Sequence, residues 1–214
     1  MNITDAAVYP YPNGDTSVRR FALEAGALGF DSIVAIDTPS AAYGSVAVRN
    51  GTIISNVPAR DVLGRLKRLK DTDTVVSVVA GDAGFNRAVI GFKGVHILRG
   101  IHAADKNAFD HVTAKMAADS NVAIDIDLSS IIATRGIARQ RAIARYRDVL
   151  VLESRYGFPL TVSTYARSVL DLRAVREITG LLSLLDMDLP LAEQALTGVE
   201  RVTTPPVPPV RVIA

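Results

Sequence analysis

The chain has 214 residues, 49% hydrophobic and 21% charged, which is enough apolar material to bury one sizeable core. Cysteine is absent, which excludes disulfides, a thiolate nucleophile and zinc–thiolate sites and fits a reducing interior. Formal net charge is only +2 at a pI of about 9.0, so affinity for a polyanion has to come from local clusters of charge.

The opening residues, MNITDAAVYPYP, carry neither a basic leader nor an apolar core, and no apolar run reaches the roughly 18 residues needed to cross a bilayer. A soluble, unexported, cytoplasmic protein with no membrane partner is expected. Short Val- and Ile-rich runs recur at 6–8, 32–36, 53–57, 74–79, 95–98, 122–128 and 160–163. Several are continuous rather than alternating, as in strands covered on both faces of a parallel sheet.

Helical periods lie between these runs. Asp15 is expected to cap a helix that turns Val18, Phe21, Ala22 and Ala25 inward, and Gly44–Ile54 includes an Asn-Gly hairpin signal. A second helix, 60–70, buries Val62, Leu63, Leu66 and Leu69 and turns Arg65, Lys67, Arg68 and Lys70 to solvent. A third, 104–118, buries Phe109, Val112 and Met116. In the fourth, 136–155, Ala142, Ile143, Tyr146, Val149 and Leu150 share a stripe, leaving Arg141 and Arg145 together on a flank that favours an anion. A fifth spans 174–185, and a sixth starts at Asp188 with Pro190 in its first turn. The Pro-rich 201–214 segment cannot continue a helix and reads as an extended tail on a single domain spanning 1–200. About seven strands alternating with helices fit either a compact (β/α) barrel or a doubly wound sheet, because closure leaves no mark in periodicity.

Asp125 and Asp127 project from one face of the strand VAIDIDL, at the end where α/β folds place their sites. With Asp37 they would suit a divalent ion in a stand-alone phosphoesterase or hydrolase. The plainer alternative has one carboxylate capping the next helix and the other pairing with an Arg. His96, His102 and His111 show no metal-ligand spacing, and no G-x-S-x-G elbow occurs. GDAGFN (81–86) and AGALGF (25–30) fit a phosphate turn and an ordinary turn about equally well. Between 135 and 147 the basic residues are all Arg, whose planar fork suits phosphate. Aromatic residues make up only 6%, so base stacking is expected to be secondary.

GDAGFNRAV, DHVTAKMAADSNVAIDIDL and ARYRDVLVLESRYGFPLTVSTYARSVLDLRAVREITGLLSLLDM together resemble protein component 3 of archaeal ribonuclease P, the counterpart of the thirty-kilodalton eukaryotic subunit. The likeness runs from about Asp5 to Leu196. It implies a TIM-like barrel, related to metal-dependent phosphoesterases but without their ligands, and a subunit with no catalytic or metal-binding residue of its own. The implied role is support of RNA-catalysed 5′-leader removal from precursor tRNA, with Mg²⁺ held by the RNA. The implied partners are that RNA, the precursor tRNA, other ribonuclease P proteins, and a Pop5-like protein component 2 in a two-plus-two assembly. By the same likeness Arg87, Arg135, Arg167 and Arg173 face RNA, and Asp127 organises the barrel mouth.

Overall fold

Strand and helix alternate along the chain as the hydrophobic pattern requires. In a computed structural model, which describes residues 2–69 and 72–204, β1 (Thr4–Val8), α1 (Val18–Ala27), β2 (Ser32–Ile36), β3 (Ala41–Tyr43), β4 (Val46–Ile54) and α2 (Ala59–Leu69) come first. They lead into β5 (Thr74–Val79), α3 (Ala83–Ile90), β6 (Ile97–Arg99), α4 (His111–Asp119) and β7 (Ala123–Asp127). The chain ends with α5 (Ser129–Ile132), α6 (Gly136–Tyr156), β8 (Leu160–Ser163), α7 (Val175–Leu182), α8 (Leu189–Leu196) and α9 (Gly198–Thr203).

Seven strands pair in parallel in the order β1-β2-β4-β5-β6-β7-β8, and β3 lies antiparallel on β4. The first and last strands then meet. Val8 and Ala166 form a parallel bridge, with Tyr9 N–H donating to Ala166 O at 2.8 Å and Tyr165 N–H to Ala7 O at 3.0 Å. Beside that bridge a side chain supplies what backbone does not: Asp5 Oδ1 accepts the Thr164 and Ala7 N–H groups at 3.0 and 3.1 Å, and Oδ2 accepts the Thr164 hydroxyl. The result is a nearly closed TIM-like barrel, which settles the choice that periodicity left open.

Because side chains alternate across a strand, β2 and β5–β7 sort into two cores. Ile33, Val76, Val78, Leu98, Ile124 and Ile126 point outward beneath the helices. Ala6, Val34, Val75, Ile97 and Ala123 gather on the axis, where Val199 and Val202 of α9 close the end at which the strands begin. Full burial stabilises such an aliphatic side chain by roughly 1.5–3 kcal/mol. Gly198 lets α9 approach: a Cβ there would sit 1.8 Å from Leu160 O.

Several local expectations are corrected. Ser17, not Asp15, caps α1, its hydroxyl accepting the Arg20 N–H; Asp15 instead accepts the Thr16 hydroxyl. The antiparallel pair exists, but its turn is at Gly44 (φ 63°), while Asn50-Gly51 lies inside β4. Gly51 is needed there for the interior, because a Cβ would come within 2.4 Å of Val34. The third helix starts only at His111, leaving Val112 40% exposed, and Leu63 is 39% exposed on α2. Helix α9 carries regular structure past residue 200 to Thr203; Lys70 and the expected extended tail from 205 onward lie outside the described residues.

Candidate functional site

The inward parity of β6, β7 and β8 gathers polar side chains toward the ends at which the strands finish. Asp125 is fully buried and accepts the hydroxyls of Thr161 at 2.9 Å and Ser163 at 2.6 Å. Arg99 Nη1 lies 3.9 Å from it, and Arg99 Nη2 donates to Ala6 O at 2.9 Å. Arg99 is 0% exposed. Burial works against its charge, but Asp125 and Tyr165 outweigh that penalty and hold its pKa above the ordinary value.

From Arg99 a stack runs toward the surface. Its guanidinium lies 5.2 Å from the Tyr165 ring centre, Tyr165 lies 5.7 Å from Tyr9, and the Arg167 guanidinium covers Tyr9 at 4.6 Å. Sequence reasoning assigned Arg99 no role. The signal available was an Arg two residues after Ile97 in a short strand, which gives both side chains the same inward parity.

Asp127 Oδ1 accepts the N–H and hydroxyl of Ser129 at 2.8 and 2.6 Å, fixing the entry to α5. Burial raises its pKa, against the opposing pull of Ser129. Burial likewise raises the Asp5 carboxyl to about 6, despite its bonds to Thr164 and Ala7. Asp37 stands exposed at φ 52° with the Thr52 hydroxyl at 3.5 Å. Asp125 and Asp127 therefore follow the plainer reading, one paired with an Arg and the other holding the start of a helix. Among the described residues no three His, Asp or Glu side chains converge as a metal-binding group.

The histidines separate too. His96 Nδ1 accepts Val76 N–H at 3.0 Å, His111 is an exposed first residue of α4, and His102 shares a bond with Tyr146 at the mouth. Both Gly-rich turns serve the fold. Asp82 Oδ1 caps α3 by accepting the Phe85 N–H, and Asn86 Oδ1 takes the Gly81 N–H, so two of the 81–86 amides are held by side chains of the turn itself. The 25–30 turn closes α1 through Gly29 (φ 97°) and the bond from Phe30 N–H to Ala25 O.

The arginines fall into two sets. Arg135 precedes α6 and is exposed, as is Arg141 six residues on. Arg167 is exposed and donates to Asn13 O at 2.8 Å, while half-buried Arg173 donates to Leu170 O and Leu172 O. Arg167 and Arg173 line one cavity of about 400 Å³ with Ser129, Thr164 and Tyr165. Gly14 makes room here, since a Cβ would strike Tyr9 O and Arg167 O.

The second set, Arg87 and Arg145, ties helices α3 and α6 to neighbouring segments. Arg87 pairs with Asp110 at 2.5 Å; burial raises the Asp110 pKa, but the bonds from Thr113 and Arg87 together outweigh it and bring the value down to about 2. Arg145 corrects the expected flank: it is 9% exposed, and its two amino groups donate to Asp105 O and Lys106 O at 3.0 and 3.2 Å. It fastens α6 to the loop before α4. No free Arg141–Arg145 pair exists.

Fold and site together define an α/β barrel of the TIM-like class with engaged strand-end carboxylates and guanidinium groups around its mouth. Residues 1–204 match the family described as RNase P subunit p30. The ribonuclease P protein component 3 of Methanococcoides burtonii is 30% identical over 202 residues, covering 90% of this chain and 83% of that one. Its counterpart in Halorubrum lacusprofundi is 31% identical over 215 residues, covering 92% and 89%. A chain in a cryo-EM structure of archaeal ribonuclease P with mature tRNA superposes with a TM-score of 0.77 at 16% identity, covering 92% of this chain and 89% of that one. The chain belongs to the RNase P subunit p30 family, and is thus an accessory protein subunit of a ribonucleoprotein endoribonuclease.

Proposed function

We infer that this barrel supports 5′-leader removal from precursor tRNA by holding the catalytic RNA in its compact fold, while Mg²⁺ carried by the RNA does the chemistry. The observation that carries this is the pairing of engaged strand-end carboxylates with exposed Arg135, Arg141 and Arg167 on the same face of the barrel. Guanidinium groups neutralise phosphates, release counterions and lower the repulsion that opposes a folded polyanion. Arg173 extends the rim, and Arg87 joins it on exchanging Asp110 for phosphate.

The family resemblance adds a Pop5-like protein component 2 as partner in a two-plus-two assembly, other ribonuclease P proteins, and a cytoplasmic setting. No helix among the described residues is long and apolar enough to cross a membrane. The test is RNA affinity against salt for the chain with its partner protein. Each phosphate neutralised contributes a slope of about 0.7–0.9 log units per log unit of salt. Replacing Arg135, Arg141 and Arg167 together by Ala should flatten that slope and raise the Mg²⁺ needed for cleavage. A salt-insensitive complex, or an unchanged Mg²⁺ requirement, would remove RNA support from this face.

A further inference from the structure

The mouth holds a cavity of about 380 Å³ between β7, α5 and α6, lined by His102, Asp127, Ser129, Thr134 and Arg141 among others. Most of its polar groups are already satisfied. Ser129 donates to Asp127 Oδ1, Ser130 to Asp127 O and Thr134 to Ser130 O. Three functions stay open. Asp127 is only 8% exposed, yet among the described residues its Oδ2 accepts no hydrogen bond. Arg141, exposed at the rim, has no protein partner among them either.

The third is the far nitrogen of His102. Asp127 N–H donates to the Tyr146 hydroxyl oxygen at 2.9 Å. The hydroxyl hydrogen then goes to His102 Nδ1 at 2.8 Å rather than to Asp127 O at 3.5 Å. That network leaves the proton of a neutral imidazole on Nε2, as a donor. Burial also lowers the His102 pKa, against the pull of Asp127 and Asp125, which favours the neutral ring.

We propose that this cavity binds a single nucleotide unit, its base edge donating N–H to Asp127 Oδ2 and accepting from His102 Nε2, with its phosphate on Arg141. Each base offers an N–H donor beside an acceptor, and an unstacked nucleotide exposes that edge for direct bonding. The position agrees with where parallel barrels hold ligands, outside the ends of their strands. This goes beyond support of RNA through backbone charge, and it stands or falls separately, since a free mononucleotide is the first probe.

The experiment follows the His102 ring resonances of the full chain during titration with GMP, AMP, CMP, UMP and inorganic phosphate. At least one nucleotide should shift them saturably where phosphate does not, and Arg141→Ala should weaken it about ten-fold, the equivalent of one charge-assisted bond. Asp127→Asn keeps Oδ1 for Ser129 but turns the free position into a donor, so it should change which base binds best. A photo-crosslinker at Ala138 in the reconstituted particle separates the sources. Capture of RNA there assigns the nucleotide to the RNA, and capture of none, with free nucleotides binding, assigns a mononucleotide site. Inorganic phosphate acting as well as any nucleotide would overturn the proposal, as would silence of His102 toward every nucleotide combined with no crosslink.

Discussion

At the end where the strands begin, Val199 and Val202 close over Ala6, Val34, Ile97 and Ala123, with Arg49 held at the margin by Thr203 and Asp73. At the end where they finish, the same β6 and β7 carry Arg99, Asp125 and Asp127 inward, and the interior becomes a hydrogen-bonded network. Both ends are buried, but by different physics. The apolar end gains from area removed from water, tolerating small changes of shape in proportion. The polar end depends on keeping its charges paired, because an ion pair held out of water turns strongly unfavourable once one member is removed. The mouth is therefore fixed in geometry by its own internal bonds.

The largest effect should come from splitting the buried pair. Arg99→Met leaves Asp125 charged and without its cation, at an expected cost of about 3–5 kcal/mol in urea denaturation. Arg99→Met combined with Asp125→Leu should recover most of that loss. If the double variant is no better than the single one, the pair is not the reason Arg99 matters. At the opposite end, Gly198→Ala drives a Cβ into Leu160 O and should cost ~3 kcal/mol by overpacking, without altering salt-dependent RNA affinity.

Next in size is the contrast along α6. Arg145→Ala removes two bonds to the 105–106 carbonyls and should cost about 1–3 kcal/mol. Arg141→Ala, on the exposed rim, should stay within about 0.5 kcal/mol of the parent. Equal destabilisation by the two would contradict the division of the arginines into anchors and free groups.

The smallest effect concerns the seam. Asp5 has its pKa raised to about 6 by burial, so the folded state binds its proton more tightly than the unfolded chain does. Its contribution to stability is full below the ordinary value of 3.8 and is lost as pH rises through about 6. Asp5→Asn keeps an acceptor for the Ala7 and Thr164 amides and should abolish that slope while leaving stability above pH 6 unharmed. A parent and variant with parallel pH profiles between 4 and 6 would refute the assignment.

Much of the barrel could be read in advance. Continuous Val/Ile runs separated by 3.6-period segments locate seven parallel strands and the main helices, because burial on both faces of a parallel sheet writes itself directly into composition. Closure was not legible. It depends on Asp5 meeting Thr164, a contact 159 residues apart in sequence that no local period encodes. Asn50-Gly51 misled for a related reason, since a glycine selected for room inside the barrel looks the same as one selected for a turn.

The site was half legible. The shared face of Asp125 and Asp127 follows from strand parity, and so does the plainer reading of both. Arg145 shows where parity stops helping: a 100° wheel separates it from the apolar stripe, yet a neighbouring loop folds over that flank and buries it. Arg99 was overlooked because a charged side chain in a short strand reads as an edge or loop residue until its partner across the barrel is known.

The most direct test of an inert, RNA-supporting barrel is precursor-tRNA cleavage measured three ways: by the purified chain freed of nucleic acid, by the reconstituted particle, and by the particle carrying Asp127→Asn. No turnover by the chain alone, and cleavage that persists in the variant particle at saturating Mg²⁺ with any loss confined to RNA affinity, are the predicted results. Cleavage by the free chain that disappears with Asp127→Asn would contradict them.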